Sequence, residues 1–203
     1  MKNLILLLTA LFFVSCSKEE LYGPRKLANG QEVELLVDHR YASDSDVLLH
    51  LPANEPAGAS LAGFKDRQPG FVYRVKARFN HQENPPQDGP GYWFDFLNVI
   101  SKEQYKGSEA FNVNLIVSYI PGGPFIRIEK QVNEYFLVGE KIQLTYTDPV
   151  IGNQLEEIAQ NARTVRESWP NLQQPKWKSI KATVVHDPKL FGQAYLVQQL
   201  QFN

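Results

Sequence analysis

Several short segments carry residue types that could do chemistry, but their surroundings argue against each reaction. His81 and Glu83 match the His-x-Glu half of a zinc deaminase signature. The other half requires two cysteines as zinc ligands, and the chain contains a single cysteine, so this reaction is excluded. Residues 58–62 contain the first glycine and the serine of a nucleophile elbow, but lack its last glycine and a preceding strand in an α/β sheet. A loop is the better interpretation of this segment.

Carboxylates and histidines supply two further candidates, both for metal binding. Asp44 and Asp46 could supply two carboxylate ligands to calcium. The segment lacks the turn glycine and the distal glutamate of an EF-hand, so a solvated loop is the favoured interpretation. His81 and His186 follow similar stretches of sequence, so they would meet if two halves of the protein were related by pseudo-symmetry. Exposed histidines at strand ends are the alternative. We expect no catalytic residue, no metal site and no cofactor.

An aromatic segment is more suggestive of binding. Tyr92 and Trp93 are neighbours in a predicted strand, so their side chains face opposite sides of the sheet. One side must belong to the core, and the other could present an aromatic surface beside three basic residues of the preceding strand, Arg74, Lys76 and Arg78. Such surfaces bind sugars or peptides by stacking. Coverage of both faces by protein is the alternative. The candidate ligand-binding residues are Tyr92, Trp93, Asn84 and Asp88.

Cys16 is the one cysteine of the chain and the candidate for lipid attachment. It follows Lys2 and an apolar run over residues 4–14, a layout typical of a secretory signal. The run is too short to span a bilayer, which takes ~20 residues. Residues 13–16 resemble a bacterial lipobox, in which the cysteine is diacylated and becomes the mature N-terminus. We therefore expect a lipoprotein with a signal peptide over residues 1–15 and acyl chains such as palmitate on Cys16. A plain signal peptide with an incidental cysteine is the alternative.

The segment after the cysteine predicts where the protein is held. Residues 16–30 contain charged residues and turn formers, which indicates a tether. Lys18, Glu19 and Glu20 resemble the charged tag that directs some Bacteroidota-type lipoproteins to the cell surface, although a solvated tether has the same composition. We expect the outer membrane, on its periplasmic or surface side. The formal net charge of −1 gives no general attraction to nucleic acid, which is not an expected partner.

Alternation of apolar and polar residues predicts a mostly β protein. The clearest strand covers residues 71–79, and others are predicted over 33–41, 47–51, 92–100, 113–120, 125–129, 141–146, 180–186 and 194–202. Apolar residues at helical spacing, from Leu155 to Trp169, predict one amphipathic helix over about 154–169, with Asn153 and Glu156 at its start.

Internal similarity suggests two related β units. Residues 33–37 are similar to 113–117, and residues 75–78 are similar to 180–183. Residues 75–78 and 180–183 are each followed by a loop that contains proline and then by an aromatic-rich strand. We expect two small antiparallel β units, barrel-like or sandwich-like, over residues 31–105 and 110–203. The helix belongs to the second unit. Chance similarity between alternating strands is the other explanation.

The first unit resembles a known but uncharacterised domain family of bacterial envelope lipoproteins, sometimes joined to META-type domains. The matching motifs are Gly63-Phe64, the Pro-Gly-Phe-Val-Tyr-Arg-Val stretch at 69–75, the Asn-Pro-Pro-x-Asp loop at 84–88 and the strand end at 96–102. Cysteines that many members carry near residues 47–51 are absent here. The resemblance implies a small β-rich envelope module and no particular reaction.

These observations favour a non-enzymatic binding or interaction module that is anchored to the membrane through Cys16. Its expected partner is an envelope protein or a glycan. One alternative is a glycan-processing hydrolase with carboxylates such as Glu83, Asp88 or Asp95 as acid and base, which would require two carboxyls ~5–9.5 Å apart across a cleft. A second alternative is a stabiliser of the envelope under stress.

Overall fold

The protein is mostly β with one long helix, which confirms the predicted fold class. The computed structural model describes residues 20–87, 89–119, 123–168 and 173–203, so Cys16, Asp88 and Trp169 lie outside the described residues. The elements are β1 (Leu21–Tyr22), β2 (Leu27–Ala28), β3 (Glu32–Val37), β4 (Leu48–His50), β5 (Glu55–Pro56), β6 (Leu61–Ala62), β7 (Phe71–His81), β8 (Tyr92–Gln104), β9 (Phe111–Asn114), β10 (Ile116–Tyr119), β11 (Gly123–Ile126), β12 (Ile128–Gln131), β13 (Glu134–Leu137), β14 (Ile142–Thr145), α1 (Pro149–Glu167), β15 (Ile180–His186) and β16 (Ala194–Phe202).

The first unit is a six-stranded sheet in the order β5-β4-β3-β7-β8-β6. Strand β7 sets its two faces, because Tyr73, Val75, Ala77 and Phe79 are buried at every second position. The sequence predicted this alternation, and the strand continues beyond the predicted end at residue 79, as far as His81. Together with residues of β2, β3 and β8 and with Ala57, these side chains form the core of the first unit.

The second unit is a six-stranded sheet in the order β12-β13-β14-β16-β15-β9, and α1 packs on it. The helix begins at Pro149 rather than at about 154, because Asp148 caps it by accepting a 2.8 Å hydrogen bond from the Val150 amide. The predicted start at Asn153 is therefore wrong. The buried side chains of α1 fall on one stripe and join the core of the second unit. Strand β13 was not predicted.

Four strands have the same arrangement in both units. In the first unit, β7 pairs antiparallel with β3 on one side and with β8 on the other, and β8 pairs parallel with β6. In the second unit, β15 pairs antiparallel with β9 and with β16, and β16 pairs parallel with β14. The register also agrees, since Val33 lies opposite Ala77 and Val113 lies opposite Ala182. The remaining strands differ: β4 and β5 extend the first sheet beside β3, whereas β13 and β12 extend the second beside β14.

A loop of the first unit lies across the second unit. The chain was predicted to remain a strand as far as Tyr41, but β3 ends at Val37, and residues 38–46, here called the joining arm, leave the sheet. The backbone carbonyl of Tyr41 accepts a 2.6 Å hydrogen bond from the buried Tyr195 hydroxyl. The Asp44 amide donates to the Asn112 carbonyl at 2.9 Å, and the Asp44 carboxylate accepts from the Asn114 amide at 3.0 Å. The joining arm therefore fixes one unit against the other.

No helix among the described residues is long and apolar enough to cross a membrane.

Candidate ligand-binding cavity

The structure places Tyr92 and Trp93, two of the predicted ligand-binding residues, on opposite faces of the first sheet. The Tyr92 ring packs on the inner face of the first sheet, 6.0 Å from the Phe79 ring centroid. Trp93 lies on the outer face and donates from Nε1 to Asp95 at 3.0 Å. Asn84 is exposed in the loop after β7, and Asp88 lies outside the described residues. Tyr92 and Trp93 thus do not form one aromatic surface.

The basic residues of β7 pair with acidic residues on β3, and their side chains stay about half exposed to solvent. Lys76 pairs with Glu32 at 2.5 Å, and Arg78 contacts the same carboxylate at 3.3 Å. Arg74 donates from Nε to Glu34 at 2.6 Å. The predicted aromatic and basic surface is therefore largely neutralised on its basic side, because these cross-strand pairs satisfy the charges within the sheet.

Asp95, one of the carboxylates considered for acid–base chemistry, is also engaged. Its Oδ1 accepts from Trp93, and its Oδ2 accepts from the Asn80 side-chain amide at 2.9 Å. Both oxygens therefore serve to fix side chains on the outer face of β7 and β8.

The first unit has a cavity of about 540 Å³. It is bounded by β4 and by the segment that runs from β5 at one edge of the sheet to β6 at the other. This segment is held by two backbone hydrogen bonds, from Ala57 to the Leu48 carbonyl at 2.9 Å and from Phe94 to the Ser60 carbonyl at 2.8 Å. The apolar side chains that line the cavity include Val37, Val47, Leu48, Leu49, Leu61 and Phe64. This volume lies within the range of ligand sites in proteins.

An ion pair lies at one side of this cavity. Arg67 donates to both carboxylate oxygens of Asp46, from Nη1 to Oδ2 at 2.8 Å and from Nη2 to Oδ1. Its Nη2 also donates to the Asp38 carbonyl at 2.8 Å. The guanidinium also lies over the Tyr41 ring, 4.5 Å from the centroid. Because Asp38, Tyr41 and Asp46 belong to the joining arm, the wall of the cavity is built by the same segment that contacts the second unit.

Tyr41 supplies a polar group to the cavity wall. Burial, together with a hydrogen bond to Glu140 and the charge of that carboxylate, raises the pKa of Tyr41 to about 12. The phenol is therefore protonated and neutral at physiological pH.

A second polar cluster lies where the two units meet. His39 Nδ1 and His186 Nε2 are 2.8 Å apart, and the Tyr105 ring stacks on His39 with a centroid distance of 3.5 Å. Burial lowers the pKa of both histidines, and it lowers the pKa of His186 to about 4. The Nδ1 of His186 is enclosed and has no hydrogen-bond partner among the described residues. Both rings are therefore neutral at pH 7, and they share one hydrogen bond.

This pairing contradicts the suggestion that His81 meets His186. His81 instead stacks on Tyr22, with ring centroids 3.6 Å apart. Within the described residues, no group of three or more histidine, cysteine, aspartate or glutamate side chains is placed to hold a metal ion. Sequence reasoning missed the partnership of His39 because 147 positions separate it from His186.

Comparison of the chain with models of protein families, with curated proteins and with solved structures found no match. The resemblance of residues 31–103 to envelope lipoprotein domains therefore stays a prediction.

Proposed function

We propose that this protein is a lipid-anchored, non-enzymatic binding module, and that its ligand occupies the cavity beside Arg67. The observation that carries the proposal is the combination of a sizeable apolar cavity with charged groups that are already paired to one another. Binding requires a concave apolar surface and a few fixed polar groups, both of which this cavity offers. A hydrolytic site would require a free base beside a nucleophile; Ser60 lines the cavity, but the only carboxylate among the described lining residues, Asp46, is bound to Arg67 through both oxygens.

The anchor supports a role at the membrane. Acyl chains on Cys16 would hold the protein at the outer membrane, because two or three chains together bind a bilayer firmly. Only residues 17–20 separate Cys16 from strand β1, which begins at Leu21. The folded units would therefore lie close to the bilayer, where partners in the envelope are within reach. We expect Cys16→Ser to release the protein from the membrane fraction, and retention of that variant would contradict the anchor.

The binding role can be tested in cells with the full chain. A photo-crosslinking amino acid is placed at Val47, which lines the cavity and is 41% exposed. The matched control carries the same group at Val132, which is 91% exposed in the second unit. After illumination, mass spectrometry should find a discrete adduct at position 47 that is missing at position 132. Equal labelling at both positions, or labelling at neither, would contradict a ligand in this cavity.

A further inference from the structure

We propose that the ligand of this cavity is an uncharged, lipophilic molecule, an inference that rests on the proposed binding function. The cavity-lining residues carry two formal charges, on Arg67 and Asp46, and these neutralise each other across a bidentate contact. The net charge that the wall presents to a ligand is therefore zero.

The hydrogen-bonding capacity of the ion pair is also largely used within the protein. Besides the two contacts with Arg67, the Asp46 carboxylate accepts from the Ala42 amide at 3.3 Å. Arg67 directs its remaining Nη2 contact to the Asp38 carbonyl, and its Nε is buried and has no hydrogen-bond partner among the described residues. An anionic ligand would have to displace Asp46, and a cationic ligand would have to displace Arg67. Each exchange would leave a partly buried charge without its partner, which proteins tolerate poorly.

The other polar groups of the wall add no charge. The Tyr41 phenol is neutral at physiological pH and already bonds to Glu140. Ser60 is exposed at the outer end of the cavity, where water reaches it. The remaining side chains of the wall are hydrocarbon, and Val47 exposes apolar surface to solvent. A ligand that covers this surface gains by the hydrophobic effect without losing bonds to charged groups.

The experiment uses two fluorescent probes with one aromatic body. N-phenyl-1-naphthylamine is uncharged, and 8-anilino-1-naphthalenesulfonate carries a sulfonate on the same skeleton. Each is titrated into residues 17–203, which contain both cores and every described element. We expect saturable binding of the uncharged probe and about tenfold weaker binding of the sulfonate, equivalent to about 1.4 kcal/mol.

Two substitutions assign the binding to this cavity. Val47→Glu places a carboxylate in the apolar wall and should weaken binding of the uncharged probe about tenfold or more, whereas Val132→Glu, at the exposed position in the second unit, should leave it unchanged. Asp46→Asn leaves Arg67 without its counter-charge and should shift the preference toward the sulfonate. Circular dichroism confirms that each variant is folded.

The outcomes separate the two proposals. Tighter binding of the sulfonate to the unchanged protein, abolished by Val47→Glu, would overturn the uncharged ligand class and keep the binding site. Failure of both probes to bind, or equal effects of Val47→Glu and Val132→Glu, would overturn the cavity as a binding site and the ligand class with it.

Discussion

The two units share a four-strand arrangement but use it differently. Among the described residues of the second unit, helix α1 contributes seven buried residues to the protein interior, and the core cluster contains 21 buried residues. In the first unit, ten buried residues form the core cluster, and several apolar side chains around it, such as Leu48, Leu61 and Phe64, are only partly buried. One sheet is closed by a helix, while the other leaves an open cavity. The same strand pattern therefore supports a closed core in one unit and an open cavity in the other.

The comparison implies that truncating an apolar side chain costs more stability in the second unit than in the cavity wall of the first. Leu155 on α1 is completely buried, so Leu155→Ala should lower the free energy of unfolding by about 2–5 kcal/mol, because the helix cannot collapse to fill the gap. Leu61→Ala in the cavity wall should cost about 1 kcal/mol, since solvent already reaches that side chain. Urea unfolding measures both values. An equal loss for the two variants would mean that the first unit is packed as tightly as the second.

Acid should lower the free energy of unfolding, because His186 is partly buried where the two units meet. The pKa of His186 is about 4 in the folded protein, whereas an unfolded histidine titrates near pH 6.5. Between these values the unfolded chain binds more protons, so the free energy of unfolding should fall as the pH is lowered from about 6.5 to about 4. We expect a loss of about 1–2 kcal/mol, less than the full shift implies because the ring is partly solvated. Urea titrations at several pH values measure this loss.

The matched control for acid dependence is His186→Phe. Phenylalanine keeps the ring among its aromatic neighbours, Phe111 and Tyr195, but carries no proton to titrate. Its stability should fall less than that of the unchanged protein across the same pH interval, and the remaining fall comes in part from His39, whose pKa burial also lowers. Carboxyls whose pKa is lowered in the folded protein, such as Asp38 and Asp187, lose their contribution at lower pH, as they become protonated. An unchanged acid slope in His186→Phe would assign the effect to another group.

A smaller effect should follow from loosening the joining arm. Tyr195→Phe removes the hydroxyl that donates to the Tyr41 carbonyl, which should cost about 1 kcal/mol. The control, Tyr135→Phe, removes a hydroxyl that donates to Glu156 within the second unit. Limited trypsin digestion should cut faster after Arg40 in Tyr195→Phe than in Tyr135→Phe. Equal rates of cleavage would show that this hydrogen bond does not hold the arm.

Local patterns in the sequence predicted most of the regular elements. Strand β7 was predictable because apolar side chains alternate with Arg74, Lys76 and Arg78 along its length. The helix was predictable from its apolar stripe, but not its start, although Asp148 followed by Pro149 is a recognisable cap signal. Strand β3 was predicted too long, because Tyr41 continues the alternation while its backbone bonds to Tyr195 of the other unit. Tertiary contacts decided that boundary.

The cavity and the histidine pair were not predictable from local patterns. The cavity forms because the chain between β5 and β6 crosses from one edge of the sheet to the other, and the sequence of residues 58–62 in this segment indicated only a loop. The contact of His39 with His186 requires knowledge of how the two units pack together. The predicted residues Tyr92 and Trp93 were correctly placed on opposite faces, but Arg74, Lys76 and Arg78 are largely neutralised by pairing with Glu32 and Glu34.

The joining arm also limits how a gene for this protein can be divided. A break between residues 105 and 110 separates the two sheets along the chain. Residues 38–46 would remain with the first fragment, although Tyr41 and Ala42 of this arm pack against the second core. Recombination that exchanged one half for an unrelated partner would expose Tyr41 and Ala42 on one product and Tyr195 on the other. We therefore expect the two halves to be inherited and to diverge together, even if they arose by duplication of one ancestral segment.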